Sequence, residues 1–135
     1  MGERRFGGNL DRLHSPERIK LLEIDRVLDL CLENIQAKSV LDVGVGGGLF
    51  AEAFFKRGLS VAGIDVNPSM VAASSQRLPQ GDFKEAIAEE LPFPDQSFDL
   101  IFMGHVFHEV DDFVKTLQEA RRVAQQRTVI LEWPY

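Results

Sequence analysis

Two carboxylates and a run of glycines have the clearest potential for ligand chemistry in this chain. Asp42 ends an apolar, β-branched run and precedes Gly44, Gly46 and Gly48. Glycine allows positive φ and close approach of a ligand, and a helix that follows offers unpaired amide donors. A second acid, Asp65, ends another apolar run about 20 residues after the first glycine. A carboxylate at that point can accept hydrogen bonds from both hydroxyls of a ribose.

This pattern is shared by two classes of nucleotide site, and two details separate them. The dinucleotide fingerprint requires a third glycine three positions after the second, where this chain has Leu49. A carboxylate at position 42 would also repel a pyrophosphate, whereas it suits a cationic ligand. S-adenosylmethionine carries a sulfonium and an ammonium group and no phosphate. The residues therefore favour an S-adenosyl ligand, with a nicotinamide-dependent oxidoreductase as a weaker alternative.

Strands and helices that alternate along the chain must position these residues. Apolar and β-branched runs predict strands over 39–43, 60–64, 83–88, 98–103 and 128–131. Helices are predicted over 15–33, 49–57 and 67–77, and from Asp111 or Asp112 to about Ala124, with Phe113, Leu117, Ala120 and Val123 on the inner face of the last one. This order predicts a single α/β domain over residues 1–135, with a doubly wound, mostly parallel sheet covered on both faces.

Composition narrows the class of protein further. With 135 residues and 44% hydrophobic content, one domain with a real core is expected. The net charge of −6 gives no indication of a surface that binds nucleic acid. Cys31 is the only cysteine, which excludes a disulfide framework and fits a reducing cytoplasm. Its place among the apolar residues of the first predicted helix indicates a core residue. There is no signal peptide and no apolar run long enough to span a bilayer, so a soluble cytoplasmic domain with no membrane partner is expected.

Four segments resemble motifs of the class I S-adenosylmethionine-dependent methyltransferases, in that family's order, between about Ser39 and Leu131. Residues 42–48 (DVGVGGG) resemble its D/E-x-G-x-G-x-G motif, and residues 63–70 (GIDVNPSM) resemble its second motif. Residues 89–99 (EELPFPDQSFD) resemble a segment of the small-molecule subgroup, and residues 105–108 (HVFH) resemble the segment after strand four. The resemblance implies a Rossmann-like methyltransferase fold, S-adenosyl-L-methionine as cofactor and an unidentified small-molecule methyl acceptor. The alternative is a non-catalytic S-adenosylmethionine-binding module or a partner-dependent subunit.

The resemblance also implies roles for individual residues. Gly44, Gly46 and Gly48 would line the methionine part of the cofactor, Asp42 would lie near its ammonium, Asp65 would hold the ribose, Val66 and Met70 would pack on the adenine, Ala88 and the Glu89 backbone would meet the adenine edge, and Met103 would border the methyl-transfer site. In one departure from the family pattern, Ile87 stands where an acid often bonds the adenine amino group.

Other polar residues suit structural roles better. His105 and His108 are expected to be hydrogen-bonded structural groups rather than bases, so no catalytic residue is assigned. No further ligands with matching spacing accompany them, which argues against a zinc site. Asp99 is expected to tie down loop backbone.

Both ends of the chain carry expectations of their own. Residues 1–14 are expected to be a flexible leader or an arm that covers the cofactor. The family's sheet continues after strand five with antiparallel strands, which this chain is expected to lack. Strand five, 128–131, would then be an exposed edge that pairs two chains in a homodimer.

Overall fold

The structure is a computed structural model that describes residues 14–104, 106 and 109–132. The chain divides into two compact units, residues 1–33 and 34–135. In the first unit the described element is helix α1, His14–Leu32, close to its predicted bounds. Cys31 is fully buried on this helix, as expected of a core residue. The predicted leader lies, up to residue 13, outside the described residues.

The second unit contains an all-parallel sheet and the helices that connect its strands. In chain order, its described elements are β1 Ser39–Val43, α2 Leu49–Lys56, β2 Ser60–Asp65, α3 Pro68–Arg77, β3 Asp82–Glu85, β4 Phe98–Gly104, α4 Phe113–Val123 and β5 Ala124–Leu131. The strand order is β3-β2-β1-β4-β5, and every adjacent pair is parallel. The predicted doubly wound α/β fold is confirmed.

Strand β1 is the centre of the sheet and the point at which the chain reverses direction across it. From β1 the chain builds outward through β2 to β3, then returns to the other side for β4 and β5. Val43 pairs with Ile64 of β2 and with Met103 of β4, so the three strands end at the same edge. Ligands of doubly wound sheets bind at this edge, beside the strand where the order reverses.

The sheet is covered by apolar side chains on both faces. On one face, Leu41 and Ile101 belong to a cluster that includes Ala120 and Val123 of α4. On the other face, the ring of Phe102 lies 5.5 Å from that of Phe54 in α2, in edge-to-face contact. Burial on both faces explains why the central strands are continuous apolar runs rather than alternating ones.

Helix α4 buries a different face from the one predicted. Thr116, Ala120 and Val123 are buried, whereas Phe113 and Leu117 are 53% and 42% exposed. Thr116 is suited to the interior because its hydroxyl donates to the carbonyl of Asp112, 2.8 Å away, which leaves its methyl group to pack. The prediction placed the large apolar residues inside and was wrong at positions 113 and 117.

Two strands differ from prediction in extent. Strand β3 ends at Glu85, which pairs with Asp65, so the predicted stretch to residue 88 is only half strand. Strand β5 begins at Ala124, directly after α4, where the backbone is already extended. Its first residues are polar, with Gln125 and Gln126 exposed, and an apolar pattern therefore did not reveal them.

We predict that the 135-residue chain self-associates through β5. The other edge strand, β3, is short and mostly charged, which discourages pairing, whereas β5 has eight residues and Ile130 is 41% exposed. Ile130→Lys should shift the chain toward monomer in light scattering across a concentration series. Val114→Lys, at an exposed apolar position of α4, is the control and should leave association unchanged. Monomeric behaviour of the unaltered chain at high concentration would contradict the prediction.

Candidate functional site

The loop of residues 44–48 joins β1 to α2 through a backbone that favours glycine. Gly44, Gly46 and Gly48 have φ angles of 76°, 57° and 90°. A Cβ atom at Gly46 would have no other atom within 4 Å, so the loop borders open space there. Gly48 occupies the N-cap position of α2 and supplies no side-chain hydrogen bond to the helix amides. The first turn of α2 therefore keeps amide donors available for a ligand.

Asp65 links this loop to the start of α3. Its Oδ2 accepts a hydrogen bond from the Gly46 amide, and its Oδ1 accepts one from the Asn67 amide, both at 2.9 Å. A carboxylate has about four acceptor positions, so capacity remains for two hydroxyl groups of a ligand. Asp65 is thus a structural bridge as well as a candidate ligand contact.

Asp42 lies beneath the loop and is 2% exposed. The pKa of Asp42 is raised from its usual 3.8 to about 7, mainly because the carboxyl group is buried and to a smaller extent because the charge of Asp65 is nearby. Its negative charge is therefore costly in the free protein, and a cation close to it would lower that cost.

A pocket opens at the carboxyl edge of the sheet, between the glycine loop and the segment that follows β4. Its lining residues are Val43, Gly44, Ile64, Asp65, Val66, Ala86, Ala88, Glu89, Val106, Glu109 and Val110. Five of the predicted site residues belong to this lining: Gly44, Asp65, Val66, Ala88 and Glu89. The other predicted residues lie outside it, namely Asp42, Gly46, Gly48, Met70 and Met103. Of these, Met103 is fully buried in the core.

Sequence reasoning missed six residues of the lining. Val43, Ile64 and Ala86 lie at or next to the ends of β1, β2 and β3, and Val106, Glu109 and Val110 follow β4. Residues 105–108 resemble a family motif and directly follow a buried strand. This position is the sequence signal that residues next to the motif line a site. His105 and His108 themselves lie outside the described residues.

The segment of residues 88–95 begins with the pocket residues Ala88 and Glu89 and is held at two points. Glu89 Oε2 accepts hydrogen bonds from the Asp111 and Asp112 amides, at 2.8 and 3.3 Å. Arg122 donates to the carbonyls of Leu91 and Phe93, at 3.0 and 2.9 Å. The Glu89 side chain is therefore bonded to the backbone just before α4, and the rest of the segment to α4 itself.

Arg122 is held in place by a carboxylate on its own helix. Its Nε lies 2.8 Å from Glu119 Oε2, and hydrogen bonding to Arg122 lowers the pKa of Glu119. Glu119 Oε1 also accepts the Leu91 amide at 2.8 Å. Glu119 and Arg122 thus bind the amide and the carbonyl of Leu91, which fixes the backbone of the 88–95 segment at this point.

Two other residues singled out in the sequence, Asp99 and Ile87, lie outside the pocket lining. Asp99 Oδ2 accepts the Lys38 amide at 2.7 Å, and the predicted role of Asp99 in tying down backbone is confirmed. Ile87 is 49% exposed.

Among residues 14–104, 106 and 109–132, no three acidic, histidine or cysteine side chains converge as a metal site, and no helix is both long and apolar enough to cross a membrane.

The fold and the site together define a nucleoside-binding α/β domain. A glycine loop follows β1, an acid ends β2, and both meet at the edge where the strand order reverses. The sequence profile described as "Methyltransferase domain" matches residues 41–131, which is more than half of the chain. The chain therefore belongs to this methyltransferase family, whose members use S-adenosylmethionine, and the resemblance found in the sequence is confirmed.

Relatives agree with this assignment. A demethylmenaquinone methyltransferase of Thermotoga maritima is 36% identical over 111 residues, which are 79% of this chain and 48% of that protein. The crystal structure of an S-adenosylmethionine-dependent methyltransferase from Aquifex aeolicus has a TM-score of 0.73 at 28% identity, covering 91% of this chain and 70% of that one. The YcgJ protein of Bacillus subtilis gives 0.70 at 30% identity, covering 78% and 47%. The chain spans about half the length of its curated relatives or less.

The raised pKa of Asp42 predicts a pH-dependent stability. The folded state binds the proton of the Asp42 carboxyl group more tightly than the unfolded state does. The stability that this proton contributes is therefore complete below about pH 4 and is lost as the pH rises through 7. Asp42→Asn removes the titration. In urea denaturation, the wild-type free energy of unfolding should fall relative to this variant by about 1–4 kcal/mol between pH 4 and 8. Asp82→Asn, an exposed acid of β3, is the control. A constant difference between wild type and Asp42→Asn would contradict the prediction.

Proposed function

We propose that this domain binds S-adenosyl-L-methionine and transfers its methyl group to a small molecule. The observation that carries the proposal is the Asp65 carboxylate, which bonds the Gly46 amide at the edge where the strand order reverses. This arrangement puts a charged acceptor for hydroxyl groups beside a glycine loop, with open space next to Gly46. Family membership supports the same conclusion.

The residues at the site fit the cofactor's charges and groups. The remaining acceptor positions of Asp65 would take the ribose hydroxyls, and Gly44, Gly46 and Gly48 would follow the methionine part. The ionised form of Asp42 would attract the ammonium and the sulfonium, which would offset the cost of its buried charge.

The adenine end of the site rests on apolar and backbone contacts. Val66 is 58% exposed at the end of β2, and Ala88 and Glu89 line the pocket opposite it. Met70 follows on the first turn of α3. With Ile87 in place of an acid, we assign recognition of the adenine edge to the backbone of Ala88 and Glu89 and to these apolar side chains.

The cofactor supplies an already activated methyl group when bound, so the chain's task is positioning. The glycine loop and Asp65 would orient the donor, and the pocket residues Ala88 and Glu89, which begin the segment held by Arg122 and Glu119, would limit the access of water. Met103 would stay beneath the transfer site as packed support because it is fully buried. No general base is assigned.

The acceptor is proposed only as a small molecule. Several relatives are named demethylmenaquinone methyltransferase, which makes demethylmenaquinone one acceptor to include in a screen. No observation favours a non-catalytic binding module, and the family assignment gives no support to a nicotinamide-dependent oxidoreductase. A cytoplasmic location and a homodimer through β5 remain predictions.

We predict that S-adenosylhomocysteine binds the domain and raises its melting temperature. At a ligand concentration 100 times the Kd, binding to the folded state alone adds about 2.7 kcal/mol to the free energy of unfolding. Calorimetry at pH 8 is appropriate because Asp42 is then mainly ionised. NAD is the matched control and should give no shift. Folded protein that shows no shift with millimolar S-adenosylhomocysteine would contradict the proposed function.

A second prediction compares two glycines in similar backbone conformations. Gly46 and Gly58 both have positive φ, 57° and 94°, and a Cβ atom at either would meet no other atom within 4 Å. Valine at either position should cost about 1–2 kcal/mol in backbone strain. Only Gly46→Val should also abolish S-adenosylhomocysteine binding, since Gly58 follows the far end of α2. Equal binding by the two variants in calorimetry would show that the loop does not approach the ligand.

A further inference from the structure

Helix α3 makes two hydrogen bonds to the glycine loop that the proposed cofactor contacts do not require. The Ser74 hydroxyl donates to the Gly46 carbonyl at 2.6 Å, and Arg77 Nε donates to the Gly47 carbonyl at 3.0 Å. Ser74 is completely buried, which is unusual for a serine. Its hydroxyl is thus a specific internal contact rather than a surface group.

The loop and α3 also approach each other closely. A Cβ atom built at Gly48 would lie 3.3 Å from both Oγ and Cα of Ser74. The loop therefore packs directly on the helix backbone, and little space remains for a water molecule to replace the serine hydroxyl. Loss of that hydroxyl would leave the Gly46 carbonyl without its donor.

The direction of the Gly46 carbonyl determines where the next amide points. In a trans peptide the C=O and N–H groups point in opposite directions, and the described chain has no cis peptide. Since Ser74 draws the Gly46 carbonyl toward α3, the Gly47 N–H is directed away from α3. No residue of the described ranges accepts a hydrogen bond from this amide. Gly47 thus offers a donor to a ligand group.

We infer that Ser74 is a positioning residue for the methionine part of the cofactor, an inference that rests on the proposed function. Through the Gly46–Gly47 peptide it fixes the direction of the Gly47 N–H, a donor suited to the cofactor's carboxylate. Arg77, whose side chain is 41% exposed, holds the carbonyl of the next peptide, but the Gly48 amide of that peptide already donates to the Val45 carbonyl at 3.1 Å and is not available to a ligand.

The nucleoside part of the ligand should be nearly independent of Ser74. Asp65 is held by the Asn67 amide as well as by the Gly46 amide, so its carboxylate keeps one anchor when the loop loosens. The two parts of the ligand can therefore be separated experimentally. 5′-Methylthioadenosine carries the adenine, the ribose and the sulfur but lacks the amino-acid group.

The test compares Ser74→Ala with Ser75→Ala, a neighbour on α3 that is exposed. Binding of S-adenosylhomocysteine and of 5′-methylthioadenosine is measured by calorimetry at pH 8. Ser74→Ala should weaken S-adenosylhomocysteine about three- to tenfold, the range expected for one buried hydrogen bond. It should leave 5′-methylthioadenosine within about twofold of wild type, since that ligand lacks the affected group. Ser75→Ala should leave both ligands unchanged.

Hydrogen exchange provides a measurement that does not depend on the ligand. In the free protein, Ser74→Ala should speed amide exchange in the glycine loop, residues 44–48, and Ser75→Ala should not. Equal weakening of both ligands would overturn the inference and indicate a general structural role. Unchanged S-adenosylhomocysteine affinity in Ser74→Ala would also overturn it. If unaltered protein binds neither ligand, the proposed function fails and the inference fails with it.

Discussion

The Asp65 carboxylate is the interaction on which the site depends. It bonds the amide of Gly46 on one side and the amide of Asn67 on the other, both at 2.9 Å. Without these bonds, the glycine loop and the start of α3 would have to find other partners for two backbone donors. Charge-assisted hydrogen bonds of this kind are the stronger ones in proteins. The residue proposed to hold the ribose therefore also fixes the loop on which the ligand would lie.

The negative charge of Asp65 also disfavours ionisation of Asp42 in the free protein. Together with burial, which is the larger cause, this charge raises the pKa of Asp42 to about 7. Glu89 and Glu109 also line the pocket. A buried negative charge costs folding free energy, and a cation bound beside it would offset part of that cost. The arrangement is therefore better suited to a liganded domain than to a free one.

Most of the fold could be predicted from the sequence because the strands are buried on both faces. β1, β2 and β4 are continuous apolar runs, and each ends next to a glycine or an acid that marks the carboxyl edge. The first residues of β5 were missed because Gln125 and Gln126 are polar and exposed. On α4, apolar character misplaced the inner face, since Thr116 satisfies its hydroxyl locally and Leu117 does not need to be buried.

The candidate site was predictable only in part, for a related reason. Motif residues such as Gly44 and Asp65 combine an unusual residue type with a fixed position after a strand, and the structure brings both to the pocket. Ser74 has no such signal in the sequence, since a serine in a helix is usually exposed. Its contact with Gly46 depends on how α3 packs against the loop, and the pair is far apart in sequence. Contacts of that kind follow from tertiary packing and cannot be read from local patterns.

The two sides of the pocket are held by separate parts of the chain. The glycine loop is fixed by Asp65 and Ser74, which lie on β2 and α3, within the first half of the sheet. On the other side of the pocket, Glu89 is fixed by the amides of Asp111 and Asp112, which precede α4, and the segment that follows Glu89 is fixed by Arg122 of α4. The hydrogen bonds described for the two networks have no residue in common, so a change in one need not disturb the other. A change in the segment after β4, which includes Val106 and Val110, can therefore leave the glycine loop in place.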